Sequence, residues 1–288
     1  MRNQMTMVSL FLLLSVSVYA DDGQSTLERI AEKGVMTIGF VPDAPPLSFV
    51  DEDGDPVGYS IDLCKHIASA VRDTLELEKL DVEYKPLVSM EERLDAVESG
   101  AVDIECGATT VTMSRRERVD FTLMTYITGS AILSMKKSPI RTLDDAAGKK
   151  IAAIRGTTTE AVIRSFSDLN QYPIKLALID THDEGMRVLN EGLVDGYASD
   201  RAMLMGLVFR AENAENEYSM SRGALSFEPY SMMIRRGDSE FRLIADRALA
   251  KLYRTARIRR LHQIWFGRLG EPLTPIVEAM YQFQAVGE

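Results

Sequence analysis

The sequence of 288 residues lacks the hallmarks of several protein classes. Two cysteines and three histidines are too few and too scattered for a structural zinc site, so we expect no metal. Acidic residues outnumber basic ones by 43 to 33, giving a net charge of −10. This balance argues against a nucleic-acid-binding protein, which would gain its affinity by neutralising phosphates.

Only one long apolar run occurs, and it is too short to cross a membrane. Residues 8–18 are apolar, whereas a spanning helix needs about 20 such residues. Arg2 precedes the run and Ala20 precedes Asp21, the pattern of a cleaved secretory signal. An anchoring helix is the alternative. We predict a signal peptide over residues 1–20 and an exported, periplasmic protein.

The order of predicted elements indicates an α/β protein. The first series comprises strand 35–40, helix 61–77, strand 80–87, helix 90–99 and a strand from Val102. The second comprises a short helix over 142–147, strand 150–154, helix 160–166, strand 174–179, helix 183–190, strand 193–198 and helix 200–210. A hairpin over 218–235 and one helix over 238–263 follow.

Two internal echoes indicate that the fold is repeated. Residues 97–103 and 189–195 each read as a helix end, a glycine and an Asp-bearing strand. Residues 34–40 and 148–155 each give a glycine, a strand and a turn. We interpret them as two similar lobes joined by extended strands, the alternative being a chance match within one α/β domain.

A threonine-rich turn after the strand from Val102 is the main candidate site. Thr110 leads into a helix predicted to start near Ser114, with Glu117 at capping-box spacing. Arg115 would add a planar guanidinium fork that suits a carboxylate. Alternatively, the arginines of this helix form a solvated face.

A second hydroxyl-rich turn occurs in the second series. Thr157 and Thr158 precede a helix, so amides and hydroxyls could face the first turn across a cleft. Simple helix capping is the alternative for these threonines and for Asp200. His182 has a capping-box context that is more typical of a surface residue.

The two cysteines, Cys64 and Cys106, both fall on positions predicted to be buried. After export they could form a disulfide or remain two separate buried thiols. The sequence leaves both possibilities open.

Several motifs, in order from about Thr26 to about Gly267, resemble the periplasmic amino-acid-binding proteins of ABC importers, and most closely their glutamate/aspartate-binding branch. The motifs are Gly58-Tyr-Ser-Ile-Asp-Leu, Glu98-Ser-Gly-Ala-Val-Asp-Ile-Glu-Cys-Gly-Ala-Thr-Thr110, Ser114-Arg-Arg, Val119-Asp-Phe, Gly156-Thr-Thr-Thr-Glu160 and Trp265-Phe266. The resemblance implies a two-lobed fold, each lobe a mostly parallel sheet flanked by helices, with a two-strand hinge. Lobe 1 would span residues 21–128 and 230–288, with lobe 2, residues 129–229, inserted.

The resemblance also implies ligand contacts. Arg115 matches the arginine that grips the α-carboxylate, helped by Thr110 and the amide of Ala108, and Asp200 matches the acceptor of the α-ammonium. The remaining matching positions are Thr157, Thr158, His182 and Arg93. The implied partners are a small-molecule amino acid and an ABC permease in the inner membrane. We expect a monomer with no cofactor and no nucleic acid.

One position departs from the branch. Val41 stands where the branch has an arginine after its first strand. A ligand carboxylate without a nearby cation is costly in a closing cleft. The expected ligand is therefore glutamate or aspartate, their amides, or another polar amino acid.

Two competing functions remain at this stage. The same two-lobed family resembles periplasmic cyclohexadienyl dehydratases acting on prephenate or arogenate, in which Glu105 or Glu160 would be the general acid. The predicted set contains no paired carboxylates and no activated nucleophile, so we expect no catalytic residues. The sensor half of a receptor is disfavoured because no transmembrane helix follows Trp265.

Overall fold

The computed structural model describes residues 24–170, 173–211, 217–270 and 272–287. The predicted signal peptide lies outside the described residues and stays a prediction. Within those ranges, none of the helices combines the length and apolar character needed to span a bilayer. The chain forms two five-stranded sheets with flanking helices, and a small three-stranded sheet.

The first sheet has the strand order β5-β1-β6-β13-β7. Its strands are β1 (Val35–Phe40), β5 (Asp81–Pro86), β6 (Ile104–Glu105), β7 (Val119–Thr128) and β13 (Glu228–Arg235). β1 runs parallel to β5 and β6, and β13 runs antiparallel to β6 and β7. The small sheet beside it consists of β2 (Asp43–Ala44), β3 (Ser48–Val50) and β4 (Pro56–Val57).

In the part of the chain that the structure describes, seven α-helices accompany the first sheet. They are α1 (Thr26–Lys33), α2 (Tyr59–Thr74), α3 (Met90–Glu98), α4 (Met113–Arg116), α8 (Ser239–Tyr253), α9 (Arg257–Trp265) and α10 (Pro275–Gln284). In α2 the residues Ile61, Cys64, Ala68 and Val71 recur every three or four positions and are all buried. This apolar stripe fixes the helix face that packs on the core.

The second sheet has the strand order β10-β9-β11-β8-β12. Its strands are β8 (Ser130–Met135), β9 (Lys150–Ile154), β10 (Lys175–Ile179), β11 (Gly196–Asp200) and β12 (Tyr218–Met220). Its helices are α5 (Thr158–Asn170), α6 (His182–Asn190) and α7 (Arg201–Arg210). β9 runs parallel to β10 and β11, and β8 runs antiparallel to β11 and β12.

The two sheets repeat one topology. Each sheet contains three parallel strands, and the one that comes first in the sequence lies between the other two, as β5-β1-β6 and as β10-β9-β11. The echoes in the sequence fall on equivalent places, since α3 leads into β6 just as α6 leads into β11. The predicted two-lobed α/β fold is confirmed.

The chain passes between the two sheets twice, through Gly129 and through the segment from β12 to β13. A Cβ atom on Gly129 would lie 2.7 Å from the Ser226 carbonyl oxygen, so only glycine lets these segments approach so closely. The hydroxyls of Ser130 and Ser226 lie 2.5 Å apart, and the Leu225 amide donates to the Ser130 carbonyl. These two crossings form the hinge. The predicted lobe boundaries, 128/129 and 229/230, stay predictions.

Three element predictions were wrong. The hairpin over 218–235 is absent, because β12 and β13 belong to different sheets. The helix over 238–263 is broken between Tyr253 and Arg257, because the buried stripe of α8 ends at Tyr253 and resumes, out of helical step, at Ile258. The helix over 142–147 is only a 3₁₀ turn at Asp144–Ala146.

Cys64 and Cys106 form a disulfide with a Cα–Cα distance of 6.3 Å. It joins α2 to the residue after β6, directly before the threonine turn. Of the two alternatives that the sequence left open, the structure contains the disulfide.

Candidate functional site

A cavity with about 650 Å³ of empty space, part of it open to solvent, lies between the two lobes. It brings together all eight predicted binding residues, which are Arg93, Ala108, Thr110, Arg115, Thr157, Thr158, His182 and Asp200. Residues far apart in sequence therefore share one cleft.

The turn that presents Arg115 differs from the prediction at its cap. The side chain of Thr112, not that of Ser114, accepts the Arg115 amide at 3.2 Å, and α4 begins at Met113. The predicted capping box was wrong because α4 is a single turn, and Glu117 already lies at its C-cap. The arginine thus sits within one turn of the threonine loop.

The guanidinium of Arg115 is buried and contacts both lobes. It donates to the Thr110 carbonyl at 2.6 Å and to the Gly156 carbonyl at 3.4 Å. Over the residues that the structure describes, no carboxylate lies within 4.0 Å of it. Burial, and then the charge of Arg93, lowers the pKa of Arg115 to about 10, so it remains a cation at neutral pH. A buried guanidinium with only neutral partners is suited to take up a carboxylate.

Asp200 supplies the opposite charge at the end of β11. It accepts hydrogen bonds from the hydroxyl of Thr159 at 3.2 Å and from that of Tyr230. Burial, and then the charge of Glu228, raises the pKa of Asp200 to about 7. Asp200 stands at the N-cap position of α7 but makes no side-chain cap hydrogen bond there. Its carboxylate is therefore free of the capping role that was the alternative.

Glu228 was not predicted. This carboxylate is 1% exposed and accepts hydrogen bonds from Thr110 at 2.6 Å, Thr158 at 2.7 Å and Ser226. Thr110 comes from the first lobe and Thr158 from the second, so the hinge strand β13 ties the two together at the cavity. A single acid within an extended segment carries no sequence pattern that would have marked it.

In the second threonine turn, the side chains of Thr157 and Thr158 both have partners within the protein. Thr157 donates to the Ile154 carbonyl at 2.7 Å and accepts the Glu160 amide at 3.2 Å, so its side chain is a helix cap. The hydroxyl of Thr158 is taken by Glu228. The amides of Gly156, Thr157 and Glu160 are also taken within the protein. What this turn offers a ligand is therefore the backbone amides of Thr158 and Thr159, which have no acceptor among the described residues, as is usual in the first turn of a helix.

Arg93 lines the cavity but already has a partner. Its guanidinium forms a buried ion pair with Glu105 at 2.8 Å and also donates to Thr109. Thr109 in turn donates to Glu105 at 2.8 Å. The positive charge of Arg93 is thus already paired with a carboxylate of the protein.

His182 is 7% exposed, so the surface interpretation of this residue was wrong. Its Nδ1 lies 2.6 Å from the Tyr197 hydroxyl, and burial lowers its pKa, which keeps the ring neutral at pH 7. Its backbone amide donates to the carboxylate of Asp43 at 2.6 Å. Asp43, in the turn after β1, was also missed; its place after the carboxyl end of a parallel strand is the available signal.

The two glutamates considered as general acids do not line the cavity. Glu105 is held by Arg93, and Glu160 accepts the Gly156 amide and Arg164, each at 2.7 Å. Burial acts to raise the pKa of Glu160, but these hydrogen bonds outweigh it and lower that pKa. A general acid at neutral pH needs the opposite shift.

Comparisons with known proteins agree on one family. The model of the bacterial extracellular solute-binding proteins, family 3, matches residues 36–268. An L-glutamate/L-aspartate-binding protein of Pseudomonas aeruginosa is 32% identical over 264 residues, covering 91% of this chain and 86% of the relative. A glutamate/aspartate import solute-binding protein of Salmonella typhimurium is 28% identical over 268 residues, covering 91% and 88%. An ancestral arginine-binding protein, solved bound to glutamine, superposes with a TM-score of 0.73 at 29% identity, covering 82% of this chain and 99% of that one.

Proposed function

The chain belongs to family 3 of the bacterial extracellular solute-binding proteins, and on that premise we propose that it captures a polar amino acid between its lobes and delivers it to an ABC permease. The observation that carries the proposal is the pair of opposite charges in one cavity. Arg115 is a buried cation without a carboxylate partner in the described chain, and Asp200 is a buried acid held only by hydroxyls. An amino acid carries the two complementary charges.

The proposed contacts follow from this charge pair. Arg115 would receive the α-carboxylate together with the amides of Ala108 and of the first turn of α5, and Asp200 would receive the α-ammonium. Pairing both ends removes the cost of two uncompensated buried charges. His182 and Arg93 would contribute at the side-chain end.

The names of the relatives support an amino acid as the ligand. Two of them are named for glutamate and aspartate, and the arginine-binding protein was solved with glutamine. Polar amino acids are the class that these ligands share. These relatives are named as binding proteins, and this chain is likewise a binding protein and not an enzyme.

Capture would work by hinge closure in the periplasm. A ligand that touches both lobes favours the arrangement in which they are close. The two crossings at Gly129 and before β13 are the segments about which the lobes would move. The closed, ligand-loaded monomer would then dock on the permease.

Ligand-induced stabilisation tests the function. Each of the twenty amino acids would be added at millimolar concentration while thermal unfolding is followed. A ligand at 100 times its dissociation constant stabilises the folded state by about 2.7 kcal/mol, which raises Tm measurably. We expect at least one polar amino acid to raise Tm, and no shift with any of the twenty would contradict the proposal.

Arg115→Ala should abolish this shift. Removing one partner of a buried charge pair costs about 2–5 kcal/mol of binding, a loss of roughly 30-fold to several thousand-fold. Arg116→Ala is the matched control, because Arg116 is exposed on the same helix turn and does not line the cavity. Calorimetric titration of both variants decides the matter, and wild-type affinity in Arg115→Ala would exclude the assigned role.

A further inference from the structure

We propose that Asp43 selects the side chain of the ligand, favouring side chains that donate hydrogen bonds and rejecting those that end in a carboxylate. This inference depends on the proposed function, since it concerns the same cavity. It places an amide such as glutamine or asparagine, or a basic amino acid, ahead of the acids after which two of the relatives are named.

The first step is the supply of positive charge. Three arginines line the cavity. Arg93 is paired with Glu105 at 2.8 Å, and Arg155, on the exposed rim, lies 3.6 Å from Asp180. Of these three arginines, Arg115 alone has no carboxylate within 4.0 Å of its guanidinium among the described residues. One unpaired cation balances the α-carboxylate and leaves none for a second carboxylate on the same ligand.

The second step is the position of Asp43. It stands on β2 in the first lobe, 9% exposed, and reaches the start of α6 in the second. Its Oδ2 accepts the backbone amides of His182 at 2.6 Å and Asp183 at 3.3 Å. Free amides at a helix start attract anions. Here the protein's own carboxylate occupies them, so an acidic side chain would meet a like charge in place of these donors.

The third step is what Asp43 leaves open. Its Oδ1 receives no hydrogen bond from any residue that the structure describes, and Asp43 lines the cavity. An unused carboxylate oxygen is a strong acceptor for an N–H group. A carboxamide or cationic side chain supplies that donor, whereas a carboxylate supplies none and adds repulsion.

The test compares ligands that differ in one group. Glutamine and glutamate have nearly the same size, and asparagine and aspartate form a second such pair. Titration calorimetry of the purified wild-type protein at pH 8, with lysine and arginine included, should show binding at least about tenfold tighter for glutamine than for glutamate. Asp43→Asn removes the charge at constant size and should reduce that ratio at least tenfold, mainly through tighter glutamate binding.

Asp53→Asn is the matched control, because Asp53 lies in an exposed turn and does not line the cavity; it should leave the ratio unchanged. If Asp43→Asn does not fold, Asp43→Ser also removes the charge and allows the same comparison of glutamine with glutamate. The preference of the wild type for glutamine over glutamate can be measured without any variant. Glutamate binding as tightly as glutamine to the wild type overturns this inference alone. Equal weakening of every ligand by Asp43→Asn also overturns it, since that would assign Asp43 to closure. No binding by any amino acid overturns the proposed function as well.

Discussion

At the scale of single residues, the site consists of charges that the fold leaves uncompensated. Asp200 is the clearest case, because burial and the nearby Glu228 carboxylate raise its pKa to about 7. Above that pH the ligand-free protein carries a buried carboxylate with two hydroxyl partners. A ligand ammonium would supply the missing cation, so the cost of this charge in the empty protein favours binding.

The raised pKa predicts that binding weakens in mild acid. The ammonium needs ionised Asp200, so below pH 7 binding must first release the proton of this carboxyl. For a pKa near 7, the ionised fraction falls from about nine-tenths at pH 8 to about 3% at pH 5.5, which predicts roughly 30-fold weaker binding. Burial lowers the pKa of His182, so its ring takes up a proton at lower pH than Asp200 does.

Calorimetry across this pH range measures that change. At pH 6 the apparent binding enthalpy should depend on the ionisation enthalpy of the buffer. The slope should correspond to about one proton released from Asp200 to the buffer for each ligand bound. Asp200→Asn should bind weakly and without this pH dependence. An affinity that stays constant from pH 8 to 5.5 would show that Asp200 does not receive the ammonium.

Arg93 lines the cavity, but its guanidinium is engaged in an ion pair within the protein. The resemblance suggested a contact with the ligand side chain, but its ion pair with Glu105 is almost fully buried. Arg93→Ala would leave Glu105 as an uncompensated buried charge. We therefore predict that the variant loses about 3–5 kcal/mol of unfolding free energy, whatever it does to ligand preference.

Urea unfolding without ligand tests this prediction. Arg118→Ala is the control, because Arg118 makes three ion pairs with acids that are more than half exposed, and such surface pairs contribute less than about 1 kcal/mol each. The double variant Arg93→Met/Glu105→Leu should recover much of the loss. A drop below 1 kcal/mol in Arg93→Ala would mean that the pair does not hold this part of the fold.

At the scale of elements, the local hydrophobic pattern predicted where strands lie better than it predicted which strands pair with each other. Strands β1 and β9 lie at the bounds expected from their apolar runs, 35–40 and 150–154. The supposed hairpin over 218–235 was wrong because partner choice is a tertiary matter, and β12 and β13 pair with strands distant in sequence. Hydrophobic period identifies a strand without naming its neighbour.

The cavity shows the same division. Hydroxyl-rich turns before helices are visible in sequence, with Arg115 beside the first of them. The resemblance then assigned ligand contacts to Arg115 and Asp200, and both residues line the cavity. Glu228, Tyr230 and Asp43 were missed, since each is a single polar residue within an extended or turning segment. Their importance comes from burial and from partners on other elements, and neither can be inferred from the neighbouring residues in the sequence.

At the scale of the whole molecule, one turn of the first lobe makes close contact with the second. Asp43 reaches the start of α6, and two residues later the backbone at Pro45 packs on α7 at Gly206. A Cβ atom on Gly206 would lie 2.6 Å from the carbonyl carbon of Pro45 and 2.9 Å from the nitrogen of Pro46. This glycine lets helix and turn meet without an intervening side chain.

Gly206→Ala should therefore weaken ligand binding while favouring the helix itself. Alanine stabilises a helix interior by up to about 1 kcal/mol relative to glycine, so the second lobe should fold normally. In the close arrangement the new methyl group would meet backbone atoms that cannot rotate away. The closed arrangement of the lobes would then be less populated or less complete. Because the ligand binds this arrangement, we expect at least a tenfold loss of affinity.

Two measurements separate closure from folding. Small-angle scattering should show that saturating ligand contracts the wild type but contracts Gly206→Ala less, while both proteins retain similar Tm values without ligand. Phe209→Ala is the control on the same helix, because Phe209 is 55% exposed and does not line the cavity. Wild-type affinity and full contraction in Gly206→Ala would mean that the lobes need not approach this closely to hold the ligand, and the contact between turn and helix would then play no part in capture.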